Sequence, residues 1–229
     1  MVTQELRLTE FWLIRHGESR ENRDGRFLAN SEVPLSSFGI AQAERLSKRL
    51  GPQQFAAVYS SDMRRAVETA LLLSAPLGLS VQQVPELREI QFSGWGGLTW
   101  KEIAENYPEE WAALEEADPH LRIGGSTESF AEAQQRVVTA LDRIAQSHPG
   151  ERVLIVSHST AIRHYISHIL GLPLNEFRHL GEVRHCAISR VRPFGAPRLG
   201  GNRGRPGVVV VVNDAAHLEG LTRSSIQGE

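Results

Sequence analysis

The 229-residue chain has almost no cysteine and no long apolar run, and each shortage excludes a class of protein. With Cys186 as its one cysteine, it can form no internal disulfide and no multi-cysteine zinc or iron–sulfur site. The apolar run at residues 11–14 is too short for the core of a signal peptide or for a membrane span. We therefore expect a cytoplasmic protein with no membrane partner.

An excess of one charge is also lacking. Lys and Arg number 25 against 27 Asp and Glu, so the formal net charge is −2. A chain with so small a net charge lacks the overall positive potential that attracts nucleic acid, so we expect no nucleic-acid partner. Any site that binds an anion must be formed by a local group of positive charges. The hydrophobic share of 41% is ordinary, which favours a single folded domain over residues 1–229. A homo-oligomer remains possible.

Apolar strand-like runs alternate with amphipathic helical patterns along the chain. The runs lie at 11–14, 56–59 and 153–156, and the helices at 36–50, from an N-cap at Ser61 to about 73, at about 127–147 and at 161–170. This alternation predicts an α/β fold, a three-layer sandwich with a mostly parallel central sheet and helices on both faces. We expect a small helical lid insertion at about 91–125. Two C-terminal strands are expected to flank a hairpin loop at about 192–207.

Polar side chains follow two of these strands at the point where each strand ends. Arg15, His16 and Gly17 follow the first, and His158 follows the strand at 153–156. Ligands of such sheets bind beyond the carboxyl ends of the strands, so we expect the two histidines to meet there. A guanidinium beside an imidazole suits a phosphate oxygen near a histidine nucleophile.

Two adjacent arginines follow the strand at 56–59. Arg64 and Arg65 fall in the first helical turn, whose free N–H groups already favour anions. Adjacent helical residues point about 100° apart, so only one of them can face such a site. The spacing alone does not show which of the two does so. Glu89 lies in a different segment, and this single carboxylate does not by itself indicate a function.

These segments, in their order, resemble the signatures of the histidine phosphatase superfamily, the phosphoglycerate mutase-like group. The resemblance lies in 13–19 with Asn22, in 35–43, in 59–70, in 87–89 with the Phe, Gly, Trp, Gly and Leu of 92–98, in 155–158 and in 213–218. Ser159 stands where glycine usually follows the second histidine, the 124–129 segment is longer than usual, and the 192–207 stretch has no assigned role in the family.

The resemblance implies a metal-independent phosphomonoester hydrolase that needs no cofactor and acts on a small phosphorylated metabolite. The resemblance implies that His16 is the nucleophile that forms a phosphohistidine and that Glu89 is the general acid and base. It implies that Arg15, Arg65 and a protonated His158 stabilise the phosphoryl charge. It also places Asn22 and Ser159 in contact with the substrate. It selects Arg65 over Arg64, because the family's arginine directly precedes alanine.

A cofactor-dependent phosphoglycerate mutase is the first alternative. Mutases of the family resemble one another in a basic insertion after the glutamate motif, whereas residues 100–124 here hold only Lys101 and Arg122 against seven acidic residues. This balance favours the phosphatase branch. A non-catalytic protein that binds phosphorylated ligands is the second alternative.

Two further patterns suggest other chemistry. Cys186 and Arg192 have the spacing of a cysteine-dependent phosphatase, but residues 187–191 alternate like a strand and contain no glycine for a phosphate cradle. His164 and His168 have a spacing that can bind zinc, but no glutamate follows the first, and we favour a half-exposed helix face.

Overall fold

A mixed sheet of six strands lies at the centre of the residues that this computed structural model describes, which are 8–27, 32–116, 118–194 and 206–226. The strands are β1 (Glu10–Arg15), β2 (Ala57–Ser60), β3 (Val81–Gln83), β4 (Arg152–Ser157), β5 (Ile188–Pro193) and β6 (Gly207–Asp214). In the order β3-β2-β4-β1-β5-β6, the first four strands are parallel to one another, β5 is antiparallel to β1, and β6 is antiparallel to β5. The predicted α/β fold with a mostly parallel sheet is confirmed.

The central strands are those with the most continuous apolar sequence. All six residues of β1 and five of the six in β4 are buried, as expected for strands covered on both faces. The sequence pattern missed β3, which is three residues long and contains two exposed glutamines. It pairs only with β2 at the edge of the sheet, where no apolar alternation is needed.

Helices cover both faces of the sheet. They are α1 (Arg20–Arg23), α2 (Ser37–Leu50), α3 (Arg64–Ser74), α4 (Trp100–Asn106), α5 (Pro108–Glu116), α6 (Phe130–Ser147) and α7 (Ser159–Leu170). Helices α2 and α3 connect β1 to β2 and β2 to β3, so both connections run toward the β3 edge of the sheet. Helix α6 leads back from β3 to β4, in the opposite direction. Right-handed crossovers therefore place α2 and α3 together on one face and α6, with α7 packed on it, on the other. Among the described residues, no helix combines the length and apolar character that crossing a bilayer requires.

Two helices begin later than the sequence predicts. Ser61 is not the N-cap of α3; Met63 occupies that position and makes no side-chain capping bond. The Ser61 hydroxyl is hydrogen bonded to His158 instead. Helix α6 begins at Phe130 because Ser129 and Glu132 form a capping box, in which each side chain accepts a hydrogen bond from the other's backbone N–H.

The segment at 91–125 contains α4 and α5, which pack on a small second core. The buried members of this core are Ile90, Trp95, Ile103, Leu114, Ile123, Phe130, Ala133 and Phe177. Of the tryptophans and tyrosines of this segment, Trp95 is buried in this core and Trp111 packs against it, whereas Trp100 is 53% exposed and Tyr107 is 36% exposed. Of the expected hairpin loop at 192–207, residues 195–205 lie outside the described residues.

Gly17 is required by close packing of backbone against backbone. A Cβ atom built on Gly17 would lie 2.6 Å from the carbonyl oxygen of Gly39 in α2, and one on Gly39 would lie 2.0 Å from the carbonyl oxygen of Glu18. The immediate neighbour of Gly17 is helix α2, whose Gln42 side chain accepts a hydrogen bond from the Glu18 N–H (2.9 Å).

His164 occupies an unusual place in the core between α7 and the second core. It is fully buried, and within the described chain neither ring nitrogen has a hydrogen-bond partner. Its ring packs edge-on against Phe177, with 4.7 Å between ring centroids. The expected half-exposed face is therefore wrong for His164. Burial lowers the pKa of His164 to about 3.

We expect His164→Leu to raise the free energy of unfolding at pH 7 by about 1–3 kcal/mol, because it removes two buried nitrogens without partners. The folded-state pKa lies below the unfolded value of about 6.5, so His164 costs the native protein increasing stability as the pH falls below that value. The melting temperature of the variant should therefore fall less than that of the native protein between pH 7 and pH 5. Thermal melts of both proteins, with the exposed His179→Leu as control, measure this. A variant less stable than the native protein would contradict the argument.

Candidate active site

The parallel strands bring two histidines together beyond their carboxyl ends. In the register of β1 with β4, Arg15 pairs with Ser157, so the next residue on each strand is a histidine. The ring centroids of His16 and His158 lie 5.0 Å apart, and both side chains are buried. The sheet therefore places two imidazoles from distant parts of the chain in one small volume.

Two contacts fix the tautomer of His16. Its Nδ1 donates a hydrogen bond to the Gly17 carbonyl oxygen (2.7 Å), and its Nε2 accepts one from Nε of Arg65 (3.2 Å). A neutral imidazole carries one N–H, so the proton is on Nδ1 and the lone pair is on Nε2. Nε2 is therefore the nitrogen that could attack an electrophile.

His158 has the opposite tautomer. Its Nδ1 faces a guanidinium nitrogen of Arg65 (3.4 Å), which can only donate, so the proton is on Nε2 and points to the Ser61 hydroxyl oxygen (2.7 Å). Ser61 thus orients His158 rather than capping α3. The two lone pairs of the histidines converge on the same arginine.

Arg65 is the buried one of the two adjacent arginines. It is 2% exposed and contacts both imidazoles, whereas Arg64 lies outside and forms an ion pair with Glu68 on the surface of α3 (2.8 Å). The structure thus places Arg65, and not Arg64, between His16 and His158. Burial lowers the pKa of Arg65 to about 10, which still leaves it charged at neutral pH.

The positive surroundings favour neutral imidazoles. Burial, and after it the charge of Arg65, holds the pKa of His16 well below its ordinary value, and the same two causes lower the pKa of His158. The protonated His158 implied by the family resemblance is therefore disfavoured without a ligand. A phosphate dianion beside it would act in the opposite direction.

Arg15 is held by the segment that precedes β5. Its guanidinium donates to a Glu182 carboxylate oxygen (2.6 Å) and to the Val183 carbonyl oxygen (2.5 Å). The hydroxyl of Ser159 accepts a hydrogen bond from the Val183 N–H (3.3 Å), so Ser159 supports the same segment. Within the described chain, the buried Nε of Arg15 has no partner.

Asn22 lies in the short helix α1, with its side-chain oxygen fully engaged. Oδ1 accepts hydrogen bonds from the Ser19 N–H (3.3 Å), from the Ser19 hydroxyl (2.8 Å) and from Nε2 of His185 (3.2 Å). The amide NH₂ group is thereby left as the donor for a ligand in the adjoining cavity. His185 itself is partly buried, and this burial lowers its pKa to about 2.

Glu89 is placed at the start of α7. Its carboxylate accepts hydrogen bonds from the N–H of Thr160 (2.9 Å) and from its neighbour Ile90 (3.1 Å). The Ser157 hydroxyl donates to the Leu87 carbonyl oxygen (2.7 Å), which ties this segment to the end of β4. The carboxylate therefore stands on the same sheet edge as the two histidines.

Several of these groups line a cavity of about 670 Å³. His16 and His158 are not among its lining residues, and they adjoin it through Arg65, which lines it and contacts both imidazoles. Its charged lining residues are Arg15, Arg26, Arg65, Arg163, Arg178, Glu89, Glu115 and Glu182. Asn22, Ser159 and His185 also line it, while the aromatic side chains of Phe27, Phe92, Trp95, Trp100, Trp111, Phe130 and Phe177 form much of the remaining wall. Among the described residues, no three or more His, Cys, Asp or Glu side chains are grouped to hold a metal ion.

The family model described as "Histidine phosphatase superfamily (branch 1)" matches residues 11–197 of the chain. The chain belongs to this superfamily. The family predicted from the sequence is thereby confirmed, as is the predicted enzyme class, a phosphatase.

Individual relatives agree with this membership. A metal-independent phosphoserine phosphatase of Arabidopsis thaliana is 40% identical over 164 residues, which are 71% of this chain and 69% of that protein. Phosphoglycerate mutase-like protein 4 of the same plant is 32% identical over 231 residues, or 99% of this chain and 95% of the relative. The solved structure of Bacillus stearothermophilus YhfR superposes with a TM-score of 0.80 at 30% identity, covering 92% of this chain and 100% of that one.

Sequence reasoning missed three residues of this histidine phosphatase site. Ser61 orients His158, Glu182 pairs with Arg15, and His185 lies with its ring centroid 5.5 Å from that of His16. His185 directly precedes Cys186, whose thiol is completely buried. Burial raises the pKa of that thiol, so Cys186 is unsuited to act as a nucleophile.

Neutral replacement of the two adjacent arginines separates their roles. We expect Arg65→Gln to lower kcat/KM for an aryl phosphate by about 10²-fold or more, because it removes a buried cation that contacts both histidines. Arg64→Gln removes a surface charge of the same helix turn and should stay within about threefold of the native enzyme. Steady-state kinetics on both variants provide the measurement. A larger loss in Arg64→Gln would show that the wrong neighbour had been chosen.

Proposed function

We propose that this histidine phosphatase hydrolyses the phosphomonoester of a small metabolite, through a phosphohistidine on His16 and without a metal ion. The observation that carries the proposal is the orientation of His16. Its Nδ1–H is held by the Gly17 carbonyl oxygen, so the lone pair of Nε2 is presented beside Arg65. A nucleophile needs such an available lone pair and a cation at the place where phosphoryl charge develops.

In the first step, the Nε2 lone pair of His16 forms a bond to phosphorus while the bond from phosphorus to the leaving oxygen breaks. Glu89 enters this step protonated and transfers its proton to that oxygen, and the alcohol departs. Arg15 and Arg65 stabilise the equatorial phosphoryl oxygens, which carry the charge in the transition state. The Asn22 amide supplies a further neutral donor.

In the second step, water attacks the phosphohistidine. Glu89 now accepts a proton from the water, whose oxygen bonds to phosphorus as the bond to Nε2 breaks. His16 recovers its lone pair, and inorganic phosphate is released. When the phosphate dianion binds, His158 takes up a proton from solvent on Nδ1, so that both of its nitrogens then donate, one of them to Ser61.

O-Phosphoserine is the first substrate to test. The support for it is the 40% identity to a plant protein named as a metal-independent phosphoserine phosphatase. A cytoplasmic location, the absence of nucleic-acid and membrane partners, and the oligomeric state remain predictions from the sequence.

The covalent intermediate can be trapped directly. After brief mixing with a ³²P-labelled phosphomonoester in the presence of a chelator, we expect acid-labile, alkali-stable label on His16. His16→Ala should carry no label and should lose about 10³-fold or more in turnover, whereas the exposed His179→Ala should behave like the native enzyme. Acid-stable label on another residue, or turnover that the chelator abolishes, would reject the mechanism.

The mutase alternative is favoured by one observation, the 32% identity to a phosphoglycerate mutase-like protein across almost the whole chain. Against it stands the acidic composition of residues 100–124, since a bisphosphorylated intermediate needs cations around it.

An assay on 3-phosphoglycerate, with and without 2,3-bisphosphoglycerate, separates these two activities. We expect release of inorganic phosphate and no stimulation of 2-phosphoglycerate formation by the bisphosphate. Conversion to 2-phosphoglycerate faster than phosphate release would establish the mutase instead.

A further inference from the structure

Two arginines line the cavity on the side of Glu89, where the leaving group of a phosphomonoester would lie. Arg163 belongs to α7, one turn after Thr160, whose N–H donates to the Glu89 carboxylate. Arg178 belongs to the 3₁₀ helix Leu174–Leu180. Neither residue is part of the family signatures or of the phosphoryl-binding set described above.

Both guanidinium groups lie over the same buried aromatic ring. The Cζ atom of Arg163 lies 5.0 Å from the ring centroid of Phe177, and that of Arg178 lies 6.0 Å from it. Phe177 is 3% exposed and belongs to the second core, so it offers both arginines a fixed surface. Stacking of this kind holds a guanidinium plane while leaving its N–H edge available.

Within the described chain, these two arginines have no carboxylate within ion-pair distance. The hydrogen bond found for Arg163 is a long one to the Thr160 hydroxyl (3.4 Å), and its buried Nε has no partner. Two other arginines of the cavity wall differ, since Arg15 pairs with Glu182 and Arg26 with Glu102.

The acidic side chains facing this part of the cavity do not neutralise it. Glu89 is occupied by two backbone N–H groups, and Glu115 is exposed on α5, where solvent screens it. Glu182 also faces Arg163, but it is exposed and paired with Arg15. Burial lowers the pKa of both Arg163 and Arg178; Glu89 and Glu182 partly compensate at Arg163, and Glu115 does so at Arg178. A partly buried cation without a close counter-charge is stabilised by any anion that enters beside it.

We infer that Arg163 and Arg178 form a second anion subsite that binds a carboxylate of the leaving group, so that the substrates are phosphorylated hydroxy or amino acids. The inference rests on the proposed function, because it assumes that the phosphoryl group is bound between His16 and His158. A carboxylate fits better than a second phosphate, since it is planar, carries one charge and is repelled less by Glu115.

Two pairs of substrates isolate the carboxylate. O-Phosphoserine and O-phosphoethanolamine differ only in that group, and 3-phosphoglycerate and glycerol 3-phosphate differ by a carboxylate in place of a hydroxymethyl group. We expect the native enzyme to favour the carboxylate-bearing member of each pair by about tenfold or more in kcat/KM, chiefly through KM. Equal kcat/KM values within both pairs would overturn the subsite.

Variants then assign the preference to these residues. Arg163→Gln and Arg178→Gln should each reduce the selectivity ratio within a pair several-fold, whereas Arg163→Lys, which keeps the charge, should retain part of it. Arg64→Gln, outside the cavity, is the matched control. If an Arg163 variant lowers kcat/KM for both members equally, the arginine has only a structural role, and the subsite is rejected.

Two further measurements separate this inference from the proposed function. Hydrolysis of an aryl phosphate by the native enzyme reports on the phosphoryl site alone, so activity there without selectivity within the pairs removes only the subsite. Calorimetric binding of the phosphoserine pair to His16→Ala needs no turnover. If His16→Ala binds phosphoserine more tightly than phosphoethanolamine, and the addition of Arg163→Gln to that variant abolishes the difference, the subsite is supported. Equal binding of both compounds to His16→Ala rejects it.

Discussion

The contact of one buried guanidinium with two imidazoles is the arrangement on which the site depends. Arg65 donates toward lone pairs of both His16 and His158, and burial, together with the charge of Arg65, lowers the pKa of each ring. A charge in so little water is costly, and it is stabilised by whatever anion enters. The same contact sets the tautomers. With Nδ1–H of His16 held by Gly17 and Nε2–H of His158 held by Ser61, both free lone pairs face the cation. The site is therefore organised before a phosphoryl group arrives, which is how electrostatic stabilisation of a transition state becomes large.

The cavity combines parts of different origin. Its phosphoryl side is built from the ends of β1 and β4 and from α3, all packed on the main core. Its other side is built from α5, the 3₁₀ helix Leu174–Leu180 and the second core around Trp95 and Phe177. Substitutions in the second core can change which leaving group fits while the reacting groups stay on the sheet. A division of this kind allows one chemistry to serve many phosphomonoesters.

The features that could be predicted from the sequence are those that depend on local residue patterns and on the order of the motifs. Continuous apolar strands revealed the sheet, and the polar residues after them placed His16 and His158 at one edge. The resemblance, not the spacing, selected Arg65. His185 could not be found this way, because its position follows from the antiparallel pairing of β5 with β1, in which Ile188 faces Ile14. A residue just before β5 must then lie beyond the carboxyl end of β1, beside His16. Strand β3 was missed because an exposed edge strand needs no apolar period, and the partner of Ser61 is 97 residues away.

Cys186 adopts a left-handed backbone conformation (φ 55°), and its N–H donates to the carbonyl oxygen of Arg15 (2.9 Å). Its side chain is completely enclosed, and burial raises the pKa of the thiol, so little thiolate exists near neutral pH. No other cysteine occurs in the chain. A cysteine introduced by mutagenesis at an exposed position would therefore be the single fast-reacting thiol of the molecule. Fluorophores or spin labels could be attached there by maleimide chemistry while the native sulfur is left in place.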